Sequence, residues 1–208
     1  MTSGKFKRMI IPIKAELDDG SRIIADTDQH PRPGTTVEKL AALKPVFLED
    51  GRVTAGNASG LNDGACAVLM MSRQKAEELG LKPKMRWVAS AVAGVDPKIM
   101  GTAPVPTTEK VLKMAGMTID DMDIGEISEA FAVQVVYCLD RLGLKWNDPR
   151  VNIWGGALAY GHPLAASGPR LVTFLNGLFA ENPSARYGLT TMCVGRGQGV
   201  STIWENLM

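Results

Sequence analysis

Residues 187–204 read YGLTTMCVGRGQGVSTIW, and in this stretch two apolar strand patterns flank a glycine-rich turn. Glycines at a turn let the backbone approach a ligand closely and leave peptide N–H groups available to a developing anion. Cys193 lies where the first strand pattern meets this turn. A thiolate is a strong nucleophile, so the stretch indicates either acyl chemistry at Cys193 or an inert cysteine packed in a strand.

A second glycine-rich stretch, residues 160–168, reads YGHPLAASG and carries His162. An imidazole beside a thiol lowers the thiol pKa or exchanges protons with it, so the two residues would act as nucleophile and base or as an acid/base relay. The helix predicted over 166–179 begins just after His162. Its N-terminal dipole is therefore expected close to the imidazole.

Composition excludes several classes of function. The 208 residues carry a net charge of +1 and only 6% aromatic residues, which argues against a nucleic-acid partner. Three cysteines without a Cys-x-x-Cys motif and two histidines without ligand spacing predict reduced thiols and no metal site. No apolar run approaches the length of a membrane span, and the first residues lack a signal-peptide core. We therefore expect no membrane association and a cytoplasmic location.

Two parts of the chain differ in pattern. Residues 1–50 are charged and rich in proline, with one helix predicted over 36–43 and capped by Thr35 or Thr36. From residue 65 onward, strand and helix patterns alternate, which predicts an α/β layer structure. The predicted strands cover 65–71, 86–95, 123–128, 151–154, 187–193 and 199–204, and the predicted helices cover 72–79, 107–115, 130–142 and 166–179.

Four segments together resemble the thiolases. They are VTAGNASGLNDGA at 53–65, SEAFA at 128–132, GGALAYGHP at 155–163 and the Cys193 turn, and MGTAPVP at 100–106 agrees with them. The resemblance implies an α/β fold that is the C-terminal half of the thiolase fold, a βαβαβαββ layer with a mixed five-stranded sheet and helices. Residues 1–50 would then be the end of the loop domain that covers coenzyme A, and residues 51–208 the thiolase C-terminal domain.

The resemblance also implies catalytic roles. His162 would activate the nucleophilic cysteine of the absent N-terminal half and help form the first oxyanion hole. Cys193 would be the acid/base at the substrate α-carbon, and the N–H of Gly195 would serve the second oxyanion hole. Ser128 stands where the family usually has the asparagine that holds a water of the first hole. Because serine keeps a donor and an acceptor, we expect a weakened or rearranged hole rather than an inactive one.

Substrate contacts follow from the same resemblance. Ser59 and Ala55 would lie near the pantetheine arm, while Met100, Ala130 and Phe131 would wall the acyl pocket. Coenzyme A thioesters would be substrates, and no further cofactor is expected. From residue type alone, Met100 and Phe131 are equally well core residues and Ser59 a turn residue.

A second departure from the family is Arg196, where glycine is common. Its side chain would crowd the turn, attract an acidic acyl group or point to solvent. Neither Cys66 nor Cys138 lies in a segment like that of the thiolase nucleophile, so both are expected to be packing residues.

The chain therefore resembles the C-terminal subunit of a two-chain acetyl-CoA acetyltransferase of fatty-acid metabolism. Its partner would be an N-terminal thiolase subunit that supplies the nucleophilic cysteine, in an α2β2-type hetero-oligomer. The alternative is a non-catalytic structural or acyl-CoA-binding subunit. A free-standing Cys-His hydrolase and a cut product of a longer chain are the remaining interpretations.

Overall fold

A four-stranded mixed sheet organises the computed structural model, which describes residues 4–208. The strand order is β3-β6-β5-β4, with β5 and β6 joined by the glycine-rich turn. β4 runs parallel to β5, whereas β6 is antiparallel to both β5 and β3. The four strands are β3 (Met85–Gly94), β4 (Ile124–Ile127), β5 (Tyr187–Val194) and β6 (Gln198–Asn206).

Helices cover both faces of this sheet. α3 (Pro104–Ala115) contacts β3 and β6, and α6 (Ser167–Glu181) contacts β4 and β5. Consecutive residues of β6 serve the two faces, because side chains alternate along a strand. Ile203 belongs to the core cluster on the α3 side, and Trp204 belongs to the cluster on the α6 side. The α/β class and the mixed sheet predicted from the sequence are confirmed.

Three helix ends lie at residues with a capping function. The hydroxyl of Thr36 accepts a hydrogen bond from the Lys39 N–H, and Ser72 accepts one from Lys75, as expected for N-caps. Gly116 adopts a left-handed conformation at the C-cap of α3. The remaining helices are α1 (Val37–Ala41), α2 (Arg73–Glu78), α4 (Ala132–Arg141) and α5 (Ala157–Tyr160).

The first part of the chain forms its own small structure. An antiparallel hairpin of β1 (Ile13–Glu16) and β2 (Arg22–Ala25) is followed by α1, and neither strand joins the main sheet. Residues 1–3 of the predicted loop segment lie outside the described residues.

Two predicted strands differ in the structure. Residues 65–71 form no ladder with any strand in the described range, and Val68, Leu69, Met70 and Met71 are exposed. Of the strand predicted over 151–154, only a single parallel bridge forms, between Val151 and Gly125. Asn152 has a φ of 47° and turns the chain away. This bridge next to β4 is the only part of the predicted fifth strand that forms within the described residues. Among residues 4–208, no helix is long and apolar enough to cross a membrane.

Candidate active site

His162 is held by its backbone and by one ring nitrogen. Its N–H donates to the Gly60 carbonyl at 2.8 Å, and the same region forms a parallel bridge between His162 and Leu61. Its Nδ1 lies 2.5 Å from the hydroxyl oxygen of Ser167, the first residue of α6. Nε2 makes no hydrogen bond within residues 4–208. The imidazole is therefore oriented through Nδ1 and offers Nε2 for chemistry.

The surroundings of His162 favour its neutral form. Burial, and in second place the positive charge of Arg170, hold the pKa of His162 below its ordinary value of 6.5. Arg170 stacks on the Tyr160 ring at 4.5 Å and donates from Nη2 to the Gly161 carbonyl at 2.6 Å. Arg170 is thus fixed beside the histidine loop, and a neutral His162 is able to accept a proton at neutral pH.

Glycines next to His162 are required by close packing. Gly161 has a φ of 89°, and a Cβ there would overlap the side-chain amide of Asn62. A Cβ at Gly60 would overlap the ring of His30. The 53–65 segment and the histidine loop therefore touch directly, as two of the four motifs were expected to do.

Cys193 lies near the end of β5 and is buried, with a free thiol. Burial raises the pKa of the Cys193 thiol above its ordinary value of 9.0. The group is a protonated thiol at neutral pH, which makes it an acid rather than a ready thiolate.

The Cys193 strand and the start of α6 lie side by side. A Cβ at Gly168 would lie 3.4 Å from the Sδ atom of Met192, the residue before Cys193. Gly168 follows Ser167, which holds His162. The fold thus brings the elements that carry the thiol and the imidazole together, although no hydrogen bond between these two side chains occurs in the described part of the chain.

The turn after Cys193 offers a backbone donor. The Gly195 N–H has no acceptor among residues 4–208, and the turn around it is tied by a hydrogen bond from the Val95 N–H to the Gly197 carbonyl at 2.6 Å. Arg196 has a φ of 68°, a conformation that non-glycine residues rarely adopt, and it is exposed to solvent. An N–H group that is fixed and unpaired is the kind of donor that stabilises an oxyanion.

Ser128 is buried directly after β4. Its N–H donates to the Thr191 carbonyl at 2.9 Å, which continues the ladder of β4 with β5. The residues on both sides of Ser128 are bound by Asn152, whose side chain bonds the Ile127 backbone and the Glu129 carboxylate. Cys193 lies two residues beyond Thr191 on β5. Ser128 and Cys193 therefore lie at the same end of the sheet.

The predicted substrate residues fall into two groups. The Ser59 N–H donates to the Ala130 carbonyl at 3.0 Å, and Ala58 forms an antiparallel bridge with Phe131. The pantetheine segment and the acyl-pocket segment are thus adjacent. Ala55 lies in an exposed turn without a contact of this kind, and Met100 lies in a short 3-10 helix that packs on α4.

The family follows from comparison with known proteins. Residues 81–206 match the model of the thiolase C-terminal domain, and residues 1–74 match the model of the thiolase N-terminal domain. The chain belongs to the thiolase family.

Thiolases of several organisms are similar to this chain. It is 51% identical to the 3-ketoacyl-CoA thiolase of Vibrio parahaemolyticus over 204 residues, which are 97% of this chain and 52% of that protein. It is 48% identical to the β-ketoadipyl-CoA thiolase of Acinetobacter baylyi, with 98% and 51% covered. The crystal structure of the Bacillus anthracis acetyl-CoA acetyltransferase superposes with a TM-score of 0.92 at 42% identity, covering 99% of this chain and 51% of that one. The chain therefore spans about half the length of the relatives it matches.

The other two cysteines of this thiolase chain differ in burial, since Cys138 is buried and Cys66 is half-buried. Cys138 is fully buried and donates to the Gly101 carbonyl, and burial raises its pKa to about 11. Cys66 lies 3.2 Å from the Thr173 hydroxyl. The raised pKa of Cys138 keeps its thiol protonated at neutral pH. Across the described residues, no group of three or more His, Cys, Asp or Glu side chains is arranged to hold a metal ion.

Besides Ser167 and Glu129, three residues of the site were not identified from the sequence. They are Arg170 beside His162, Asn152 beside Ser128, and Glu126, which is 1% exposed on β4 without a hydrogen-bond partner in residues 4–208. Burial, with the charge of Glu129 adding to it, raises the pKa of Glu126 to about 8. A charged residue in an otherwise apolar strand, as Glu126 is in β4, is a signal that sequence reading can use to find such a group.

Proposed function

We propose that this chain is the C-terminal subunit of a thiolase, an acetyl-CoA acetyltransferase that cleaves 3-oxoacyl-CoA such as acetoacetyl-CoA or forms it by Claisen condensation. The observation that carries the proposal is the arrangement of His162. Its Nδ1 is held by Ser167 and its pKa is lowered, so the neutral imidazole leaves Nε2 without a hydrogen bond in residues 4–208, while the backbone of His162 pairs with Leu61. That is the form of histidine that takes a proton from a thiol.

In thiolysis, the proposed first step uses His162 as a base. It accepts the proton of the nucleophilic cysteine of the N-terminal half, and the thiolate attacks the 3-oxo carbon of the substrate. The bond between C2 and C3 then breaks, which leaves an acyl-enzyme and the enolate of acetyl-CoA. Gly195 N–H is suited to bind a developing oxyanion, because it is fixed in the turn and unpaired within the described residues.

Cys193 would protonate C2 of that enolate. The raised pKa of its thiol supports this role, because the group holds its proton at neutral pH until a strong carbon base takes it. Coenzyme A then gives its thiol proton to the Cys193 thiolate and attacks the acyl-enzyme through its sulfur. The new thioester leaves, and the cysteine of the N-terminal half recovers its proton from His162. Ser128 would support the thioester oxygen on the His162 side through a water.

The need for an N-terminal partner is supported by two features of this chain. Cys138 is fully buried, and Cys66 lies in a segment unlike that of the thiolase nucleophile, so the nucleophile would come from elsewhere. The segment 65–71 is extended, unpaired within residues 4–208 and exposes Leu69 to 81% and Met70 to 61%. Apolar strands in this state are partner-binding surfaces. We propose a hetero-oligomer of α2β2 type, located in the cytoplasm, with coenzyme A thioesters as substrates and no further cofactor.

The test is acetoacetyl-CoA thiolysis by the purified chain, alone and as the complex in which it co-purifies. Activity should occur only with the N-terminal half present, and His162→Ala and Cys193→Ala should abolish it. Cys66→Ala is the matched cysteine control and should retain activity. The intact mass of each polypeptide distinguishes a separate partner chain from a longer single chain.

The second candidate is a non-catalytic acyl-CoA-binding subunit. Ser128 and Arg196 favour it, because both differ from the residues usual in thiolases. A stable complex that binds coenzyme A thioesters but cleaves no 3-oxoacyl-CoA would support this function and refute the enzymatic one.

A further inference from the structure

Glu129 joins two separate parts of the site through its carboxylate. One oxygen, Oε1, accepts from the Asn152 side-chain amide at 2.8 Å, and the other, Oε2, accepts from the Leu158 N–H at 2.9 Å. Glu129 itself follows Ser128, whereas Leu158 lies in α5, which precedes His162 by two residues. The Glu129 carboxylate therefore connects the segments that carry Ser128 and His162, the two side chains proposed to serve the oxyanion hole.

Asn152 extends this connection to the other side of Ser128. Its Oδ1 accepts from the Ile127 N–H at 2.8 Å, and its Nδ2 donates to the Ile127 carbonyl at 3.0 Å. The amide thus pairs with β4 as a strand backbone would. It does so from a left-handed conformation with a φ of 47°, which asparagine tolerates better than most residues.

The space around the carboxylate is shaped to hold it. A Cβ at Gly156 would overlap Glu129, so only glycine fits at that position. From Gly156 the chain enters α5, whose end is tied by the Gly161 N–H to the Ala157 carbonyl at 2.8 Å. His162 follows immediately. A shift of Glu129 is therefore transmitted through one short, closed turn to the imidazole.

We propose that Glu129 is the positioning residue that holds the Ser128 turn and the His162 loop at a fixed separation, with Asn152 as its relay. This inference rests on the proposed function, in which both side chains serve the same thioester oxygen. Because the carboxylate offers an acceptor to each of two donors, an amide at this position loses one bond and turns its N–H₂ toward a donor.

The experiment uses the chain with its co-purifying partner, with ¹³C at the imidazole carbons of this chain only. The chain has two histidines, so His162 gives one signal and His30 the other. The variants are Glu129→Gln and Asn152→Gly, the second of which keeps the left-handed backbone without strain. Glu109→Gln, at an exposed position of α3, makes the same chemical change outside the site.

Both site variants should shift or broaden the His162 signal, leave the His30 signal unchanged and lower kcat for acetoacetyl-CoA about 100-fold with KM within about twofold. Glu109→Gln should match the wild type in both readouts. An unchanged His162 signal in both site variants overturns the proposal, whatever happens to kcat. A wild-type complex without thiolase activity refutes the proposed function alone, because the His162 signal still decides whether Glu129 positions the loop.

Discussion

The Nδ1 atom of His162 and the Ser167 hydroxyl oxygen lie 2.5 Å apart, so the first side chain of α6 fixes the orientation of the imidazole. Ser167 is 1% exposed and cannot be replaced in this role by bulk water. The rest of α6 anchors Ser167, since Leu175, Leu178 and Phe179 are fully buried against the sheet. The position of one proton acceptor is therefore set by the packing of a 15-residue helix.

Replacing Ser167 should lower kcat much more than it changes KM. Ser167→Ala removes the hydrogen bond that orients His162, so kcat for thiolysis by the complex should fall by up to about 100-fold with little change in KM. Steady-state kinetics with acetoacetyl-CoA measure this. Ser184→Ala, at an exposed position after α6, is the matched control. Equal kcat for Ser167→Ala and the wild type would contradict a catalytic need for this hydrogen bond.

The charge of Arg170 should be measurable in the titration of His162. Since burial and Arg170 together lower the pKa of His162, Arg170→Met should raise that pKa toward 6.5, while Arg170→Lys should leave it lower. Nuclear magnetic resonance titration of the imidazole signal measures the difference, with His30 as the internal reference. A pKa of His162 that is the same in all three proteins would show that burial alone sets it.

The conformation of Gly161 and the space around it can be separated by experiment. Gly116 and Gly161 have φ values of 67° and 89°, but a Cβ at Gly116 meets nothing within 4 Å, whereas one at Gly161 overlaps Asn62. Gly116→Ala should reduce the free energy of unfolding by about 1–2 kcal/mol through backbone strain. Gly161→Ala should cost about 2–5 kcal/mol, because overpacking adds to the strain. Urea unfolding measures both, and equal losses would contradict the tight contact with Asn62.

Glu126 should make the stability of the fold fall as pH rises. Its pKa is raised from 4.5 to about 8, so the carboxyl stays neutral in the folded chain while the unfolded chain ionises above about pH 4.5. The free energy of unfolding should therefore decrease between about pH 4.5 and pH 8, with an upper bound on the order of 5 kcal/mol. Glu126→Gln removes this dependence. The variant should match the wild type near pH 4.5 and be more stable at pH 8, as measured by urea unfolding at both values. If the free energy of unfolding of the wild type and that of Glu126→Gln changed with pH in the same way, the pH dependence would come from a group other than Glu126.

Local signals in the sequence were sufficient for every α-helix except the short α5, which was not predicted. Ser72, Thr36 and Gly116 act within one turn of the chain, so caps and helix ends could be predicted without knowledge of the fold. The closing hairpin was equally local, since two apolar strands joined by a glycine turn pair with each other. The four motifs likewise indicated the family and the residues of the site.

Strand pairing was not local. The pattern at 65–71 is that of a strand, but a strand forms only where another strand offers hydrogen bonds, and none does so within residues 4–208. The pattern at 151–154 was interrupted by the φ of Asn152, whose side chain bonds to residues more than 20 positions away. Neither outcome can be derived from the residues of the segment itself.

The sequence by itself determined the family, the α/β class, the four strands of the main sheet, and the identity of the thiol, the imidazole and the glycine turns. Only the tertiary structure decided the proton affinities, with a lowered pKa at His162 and raised values at Cys193 and Glu126. It also assigned Ser167, Arg170, Asn152 and Glu129 to their roles around the site. The physical reason is that propensity and motif spacing act along the chain, whereas desolvation and hydrogen-bond partners depend on which distant residues the fold brings together.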